Sequence, residues 1–290
     1  MSELPELANF LRARREGLGP ADVGLRDSGR RRTPGLRREE VATLAGVSID
    51  YLVRLEQGRD LHPSPGVLVA LGKALRLGDD EMQHLAKLAA LASSAELCPS
   101  APPLSSQIAP GVRQLLDSLD RTPAYVASPA NDLIGWNDAW KRFATPLGML
   151  DGAAPNLVRY VFADPRARTV YPDWSAAADE QVSRMRIAAP HWGSDPGFNT
   201  LLDELRPLAE FSSRWSAHPV AEKHRGVKRI HHPNTGELRV AYEVLLLPDD
   251  GDQRLVTWLP ADQASGASFN AALAGSPAVS PPQLRVVANP

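Results

Sequence analysis

Guanidinium groups dominate the chemistry available to this chain. Between Arg12 and Arg59 there are eleven arginines, at 12, 14, 15, 26, 30, 31, 32, 37, 38, 54 and 59. Seven acids oppose them, Glu16, Asp22, Asp27, Glu39, Glu40, Asp50 and Glu56, so the local excess is 11 − 7 = +4 in a chain whose formal net charge is −2. A planar guanidinium donates as a fork that suits phosphate oxygens or the O6 and N7 of guanine. A positive field confined to one end of the chain therefore points to a polyanion. Catalytic chemistry finds less support. His191, His218, His224, His231 and His232 suggest metal or acid–base work, yet adjacent His231 and His232 fall on opposite faces of any strand. No HExxH, Gly-x-Ser-x-Gly or phosphate-cradling glycine loop is present. The pairs Glu39-Glu40, Asp79-Asp80 and Asp249-Asp250 suit helix starts or a turn. Cys98, beside Pro99, is the single cysteine, so neither an internal disulfide nor a cysteine-built metal cage can form. No catalytic group, metal or cofactor is expected.

The arginines need elements to aim them. Apolar residues three and four apart, at Leu4, Leu7, Ala8 and Leu11, then Val41, Leu44 and Ala45, then Leu52 and Leu55, then Val67, Leu68, Leu71 and Leu75, predict five short helices up to about Ala92. Ser64-Pro65 opens the fourth and Asp79, Asp80 and Glu81 open the fifth. The segment Leu36 to Arg59, LRREEVATLAGVSIDYLVRLEQGR, carries the most local information. A helix from about Arg37 to Ala45 meets a tight turn at Gly46, where a positive φ is tolerated. Ser48 caps a second helix that ends near Gln57 at Gly58. Small Ala42 lets the two helices approach, and Val47, Leu52 and Leu55 point into their shared core.

At 290 residues, 43% hydrophobic and 23% charged, the chain suits two ordinary globular domains. The Ser- and Pro-rich stretch 93–108 reads as a linker between residues 1–92 and 109–262. All six tryptophans, 136, 140, 174, 192, 215 and 258, lie beyond residue 130, which implies two separately built interiors. In the second half, 124–128 and 133–137 predict short strands around a Pro-Ala-Asn-Asp turn. Asp173 can cap a helix through Ala189, and Leu201, Leu202, Leu205 and Leu208 predict another, with Pro207 marking either a break or a fresh first turn. Strands return at 227–231, 238–247 and 254–259. The expected architecture is multidomain, an all-α five-helix domain followed by an α+β domain, with 263–290 a disordered tail. No apolar run is long enough for a membrane span, and the start lacks the apolar core of a secretion signal; a cytoplasmic protein is expected.

The segment Leu36 to Arg59 resembles the helix-turn-helix of the Cro/C1-type (XRE) repressor family, with matching spacing over roughly residues 35 to 77. The resemblance implies a DNA-binding regulator whose second helix enters the major groove of a double-stranded operator. Ser48, Ile49, Asp50 and Arg54 would face base edges, and Arg37 and Arg38 would hold phosphate, with Arg59 close by. Asp50 fits either acceptance from cytosine N4 or a local pair with Arg54. Tyr51 fits either stacking on the sugar-phosphate backbone or burial beneath the helix. One such helix covers a half-site, so a homodimer is implied.

In the second half the strings TPAYVASPANDLIGWNDAW, NLVRYVFADPRARTVYPDW, EFSSRWSAH and KRIHHPNTGELRVAYEVLLLP resemble the PAS-like ligand-binding domain of MmyB-like regulators. That likeness implies a sensor for an apolar, fatty-acid-like small molecule. Tyr125, Trp136, Trp140, Phe143, Tyr160, Phe162, Trp174, Met185 and Trp215 are enough to line a cavity, though such spacings equally describe plain core. Arg184, Arg186, His231 and Tyr242 are candidate anchors for a carboxylate. The rival reading makes this domain a dimerisation or protein-interaction module without a ligand.

Overall fold

The computed structural model describes residues 5–25, 35–94, 107–247 and 251–274. The periodicity of the first ninety residues becomes five α-helices: α1 (Glu6–Gly17), α2 (Arg38–Ala45), α3 (Ile49–Glu56), α4 (Pro65–Ala74) and α5 (Asp79–Ser94). Their apolar faces close one core around Leu7, Phe10, Leu11, Leu36, Val41, Leu52, Leu55, Leu71 and Leu85. The Ser64 hydroxyl accepts the Val67 N–H, and Pro65 sits in the first turn of α4. Three acids start α5, where they face the partial positive charge of its free N–H groups. Most of the expected linker, 95–106, lies outside the described residues.

The second domain opens with α6 (Pro110–Ser118), then β1 (Ala124–Ala127) and β2 (Leu133–Trp136). Seven helices and three strands follow: α7 (Asp138–Ala144), α8 (Leu157–Ala163), α9 (Ala167–Val170), α10 (Trp174–Trp192), α11 (Pro196–Leu205), α12 (Ala209–Ser216), β3 (Arg225–His232), β4 (Gly236–Leu247), β5 (Gln253–Pro260) and α13 (Gln263–Ala274). The strands form one antiparallel sheet in the order β2-β1-β5-β4-β3. Asn137 turns the chain from β2 into α7. Its Oδ1 accepts the N–H groups of Ala124 and Trp140, and its Nδ2 donates to the carbonyls of Leu119 and Thr122. Among the described residues no helix is long and apolar enough to cross a membrane.

One face of the sheet carries the larger core, in which Trp140 meets Trp258 edge-on at 4.9 Å between ring centroids and Phe143 meets Phe269 at 5.4 Å. A neighbouring cluster gathers Val158, Val182, Met185, Phe198, Leu201, Leu205 and Phe211 beneath α10, α11 and α12. The other face is covered along β1 and β5 by Leu116 of α6, which packs with Ala124, Val126 and Leu255.

Two expectations change. The segment expected to open a disordered tail is helical over α13, with Phe269, Ala272 and Leu273 buried. It packs on β4, β5 and α7. Ser265 also accepts the Arg239 N–H from β4. Residues 275–290 lie outside the described residues. Asp173 stands at the N-cap of α10 without capping it; its two carboxylate oxygens accept from Arg229 at 2.6 and 2.7 Å.

The two interiors also meet. Val220 and Ile187, both from the second half, complete the core of the helical domain, and α10 packs on α5. Arg186 pairs with Glu6 at 3.0 Å, Glu222 donates its N–H to Asp80 at 3.1 Å, and Arg14 donates to the carbonyl of His218.

Candidate nucleic-acid interface and ligand grooves

Helix α2 ends where Gly46 takes φ 65° and its N–H reaches back to the carbonyls of Ala42 and Thr43. The Val47 N–H donates to Ala42 O at 3.0 Å, which closes the turn. Ser48 then starts α3, its hydroxyl accepting the Tyr51 N–H at 3.1 Å. Replacing Ser48 with Ala is expected to cost about 1 kcal/mol through the uncapped first turn. Hydrogen exchange at the amides of Ile49 to Tyr51 should quicken, and an unchanged rate there would reject the capping role.

Helix α3 separates its faces sharply. Leu52, Leu55 and Glu56 are buried, while Ser48, Asp50, Arg54, Gln57 and Arg59 are exposed and Ile49 retains 49% of its surface. This leaves an apolar side chain half in water at the leading turn of α3. The Arg54 guanidinium lies 5.5 Å from the centroid of the half-buried Tyr51 ring. Among the described residues Asp50 and Arg54 form no ion pair, and Ser48 rather than Asp50 supplies the cap. Both side chains therefore stand on the open face of α3.

Arg37 and Arg38 part company. Arg37 occupies the N-cap of α2, where its N–H donates to Glu40 and its exposed guanidinium lies 3.3 Å from Glu39. Arg38 gives its Nε to Glu56 Oε2 at 2.7 Å while 43% of its side chain stays exposed. The same carboxylate takes Arg15 Nε on Oε1 at 2.6 Å, and Arg15 also donates to the Leu36 carbonyl at 3.0 Å. One buried acid at the end of α3 thus ties it to α1 and to the start of α2. Sequence reading passed over Glu56; the available signal was its place four residues after Leu52, on the apolar side of α3.

The aromatic residues expected to line one cavity are dispersed. Trp140 and Phe143 pack in the core of the sheet. Tyr160 donates to the Leu147 carbonyl at 2.8 Å, and Trp174 Nε1 donates to the Val161 carbonyl at 2.9 Å. Met185 is fully enclosed in the cluster beneath α10. Phe162 packs edge-on against Trp174 and Phe211. Trp215 stacks under the Arg186 guanidinium at 3.5 Å, and Trp136 is half-buried. His231 faces solvent, on the opposite side of β3 from His232, whose ring approaches the Phe143 carbonyl at 3.2 Å.

Tyr125, with Tyr171 and Tyr242, walls an internal cavity of about 20 Å³ between the sheet and α10. That is room for about one water. Its charges are concentrated: Glu180 meets Lys228 at 3.0 Å and Arg184 at 3.1 Å, with Arg254 close by. Burial would raise the Glu180 carboxyl, but Lys228 and Arg184 outweigh it and hold the group below its usual range. Burial pushes the Lys228 ammonium down and the Arg254 guanidinium down to about 10.

Larger spaces lie where the two domains meet. One groove of about 510 Å³ runs between α5 and α10, with Lys87, Ala90 and Leu91 on one side and Arg184, Ile187, Ala188 and Trp192 on the other. A second, of about 760 Å³, lies between α1 and the end of α10, with Trp215 and Phe198 in its wall. Both fall in the range of about 300–1,000 Å³ typical of small-molecule sites.

Two family models match the chain. A family model described as MmyB-like transcription regulator ligand binding domain matches residues 108–272, more than half of the chain. A second, described as a helix-turn-helix domain, matches residues 6–85. A search of curated proteins gave no match.

Proposed function

Because the chain belongs to the family of MmyB-like transcription regulators, we propose that it reads a duplex operator through α3 and tunes that reading with an apolar, acidic small molecule held by its second domain. The observation that carries the DNA half is the open leading face of α3, with Ser48, Ile49, Asp50 and Arg54 toward solvent and Leu52 and Leu55 anchored beneath. Base contacts come from those four residues, Tyr51 packs against the backbone beside them, and Arg37, Arg38 and Arg59 hold phosphate. A homodimer places two copies of α3 about 34 Å apart on successive turns of the groove. An antiparallel sheet with its larger core on one face supports a PAS-like sensor. The single cysteine and a DNA partner fit a cytoplasmic protein.

Titration of the full chain into genomic duplex fragments, followed by footprinting of the tightest, tests the reading. A protected site with two half-sites one turn apart is expected, and affinity no better than for random duplex would reject it. Arg37→Ala should weaken binding to operator and random duplex alike. It should also flatten the slope of log affinity against log salt by about 0.9, the increment for one neutralised phosphate. An unaltered slope in anisotropy titrations across a salt series would remove Arg37 from the interface. Arg38 is a poorer probe of phosphate binding, since its removal also strips Glu56 of a partner.

A further inference from the structure

The core of the second domain is filled by its own side chains, so a ligand of any length needs another place. The groove between α5 and α10 has the volume, and its chemistry is divided end from side. Leu91, Ile187, Ala188, Trp192 and Leu246 give an apolar wall, and Arg184 and Arg254 give a cationic end.

At that end Arg254 has Glu180 and Glu222 in its neighbourhood but no acid in direct contact among the described residues. Its guanidinium donates to two neutral acceptors, Ser128 O at 2.8 Å and Asn131 Oδ1 at 2.6 Å, while its buried Nε has no acceptor. It makes no ion pair among the described residues. Of the acids that line the groove, Glu222 lies 3.7 Å from Lys87, while Asp252 accepts from Trp192 Nε1 at 3.4 Å and makes no ion pair among the described residues. Arg184 shares Glu180 with Lys228. A half-buried guanidinium beside an apolar trough, with a donor to spare, suits a carboxylate joined to an aliphatic body.

We propose that the acidic ligand binds between the domains, with its carboxylate on Arg254 and Arg184 and its apolar body clasped by α5 on one side and α10 on the other. The inference rests on the ligand-sensing reading above and adds to it the place and the second wall. Because Lys87, Ala90 and Leu91 belong to the helix-turn-helix half, the ligand fills its site only while the two domains are docked. Binding and domain docking are then thermodynamically linked.

Calorimetric titration of dodecanoate and of dodecyltrimethylammonium into the full chain tests the proposal. Dodecanoate should bind the parent protein and the cation should not. Ala90→Trp on α5 and Ala188→Trp on α10 should each weaken dodecanoate by about tenfold or more, because the indole occupies the trough. Ala86→Trp, on an exposed part of α5 outside the groove, should leave it unchanged. Arg254→Gln should also weaken dodecanoate about tenfold and narrow its advantage over the cation. Far-UV circular dichroism checks that each variant is folded, and the two tryptophan variants stand in for each other if one is not. Dodecanoate binding that survives both overturns the interdomain site while leaving the sensor reading intact. No binding of dodecanoate to the parent overturns the inference as well. The sensor reading then stands or falls on mass spectrometry of small molecules retained by the purified full chain.

Discussion

Replacing Glu56 with Ala is expected to destabilise the helical domain by about 3–5 kcal/mol, since it strands one buried guanidinium and frees another. Glu56 is 2% exposed and Arg15 is 5% exposed, so neither has water to fall back on. A change of that size is a large part of the 5–15 kcal/mol or so that holds a typical domain together. Tryptophan reports mainly on the second domain, because all six lie beyond residue 130, although Trp192 and Trp215 also line the grooves between the halves. In urea, the far-UV circular dichroism of the variant should develop an early helical transition while tryptophan fluorescence keeps most of its parent midpoint. Operator affinity should fall with the helical transition. Glu56→Gln, which keeps an acceptor for one arginine, should lie between the two. Coincident transitions at the parent midpoint would show that the carboxylate contributes little.

Arg54→Ala should raise the operator dissociation constant by about 5- to 150-fold, equivalent to 1–3 kcal/mol or so for removing one side chain that reads a base. Arg54 is exposed, pairs with no acid among the described residues, and rests only near the Tyr51 ring, so its removal should leave the fold unharmed. The informative quantity is a ratio. Anisotropy titrations on the footprinted operator and on a scrambled duplex of equal length should show weakening on the operator alone, with the salt slope kept. Equal weakening on both duplexes would assign Arg54 to phosphate, and none on either would remove it from the interface.

These two residues mark where sequence reading succeeds and where it stops. Arg54 is legible because everything that exposes it lies within ten residues: Gly46 for the turn, Ser48 for the cap, Leu52 and Leu55 for the buried face. For Glu56 only its place on the apolar side of α3 was legible; its partner was not, because Arg15 lies forty-one residues earlier and on another helix. Asp173 shows the same limit in reverse. It has the type and place of a cap, but Arg229 offers a charge-assisted fork instead, and that is the stronger partner for a carboxylate. In the second domain the five strands and helices α10 and α11 were legible from alternation, periodicity and turn residues, whereas the shorter helices α6 to α9 were not placed. The tail helix was missed, because Phe269, Ala272 and Leu273 are too few to announce a packed face until a sheet stands beside them.

The amino-acid order alone determined the helix-turn-helix, its capping and turn residues, the net positive excess near one end, and the change to an aromatic-rich α+β interior. Each depends on backbone preferences and side-chain spacing that act within about three turns of chain. Tertiary structure decided which arginine is tied to a buried acid and which aromatic residues fill the core. It also decided that Ile187 and Val220 close the interior of the other domain, and that the roomy grooves lie between the two halves. Those outcomes depend on groups far apart in sequence that meet only after both domains pack, where burial, charge pairing and volume are properties of the assembled chain.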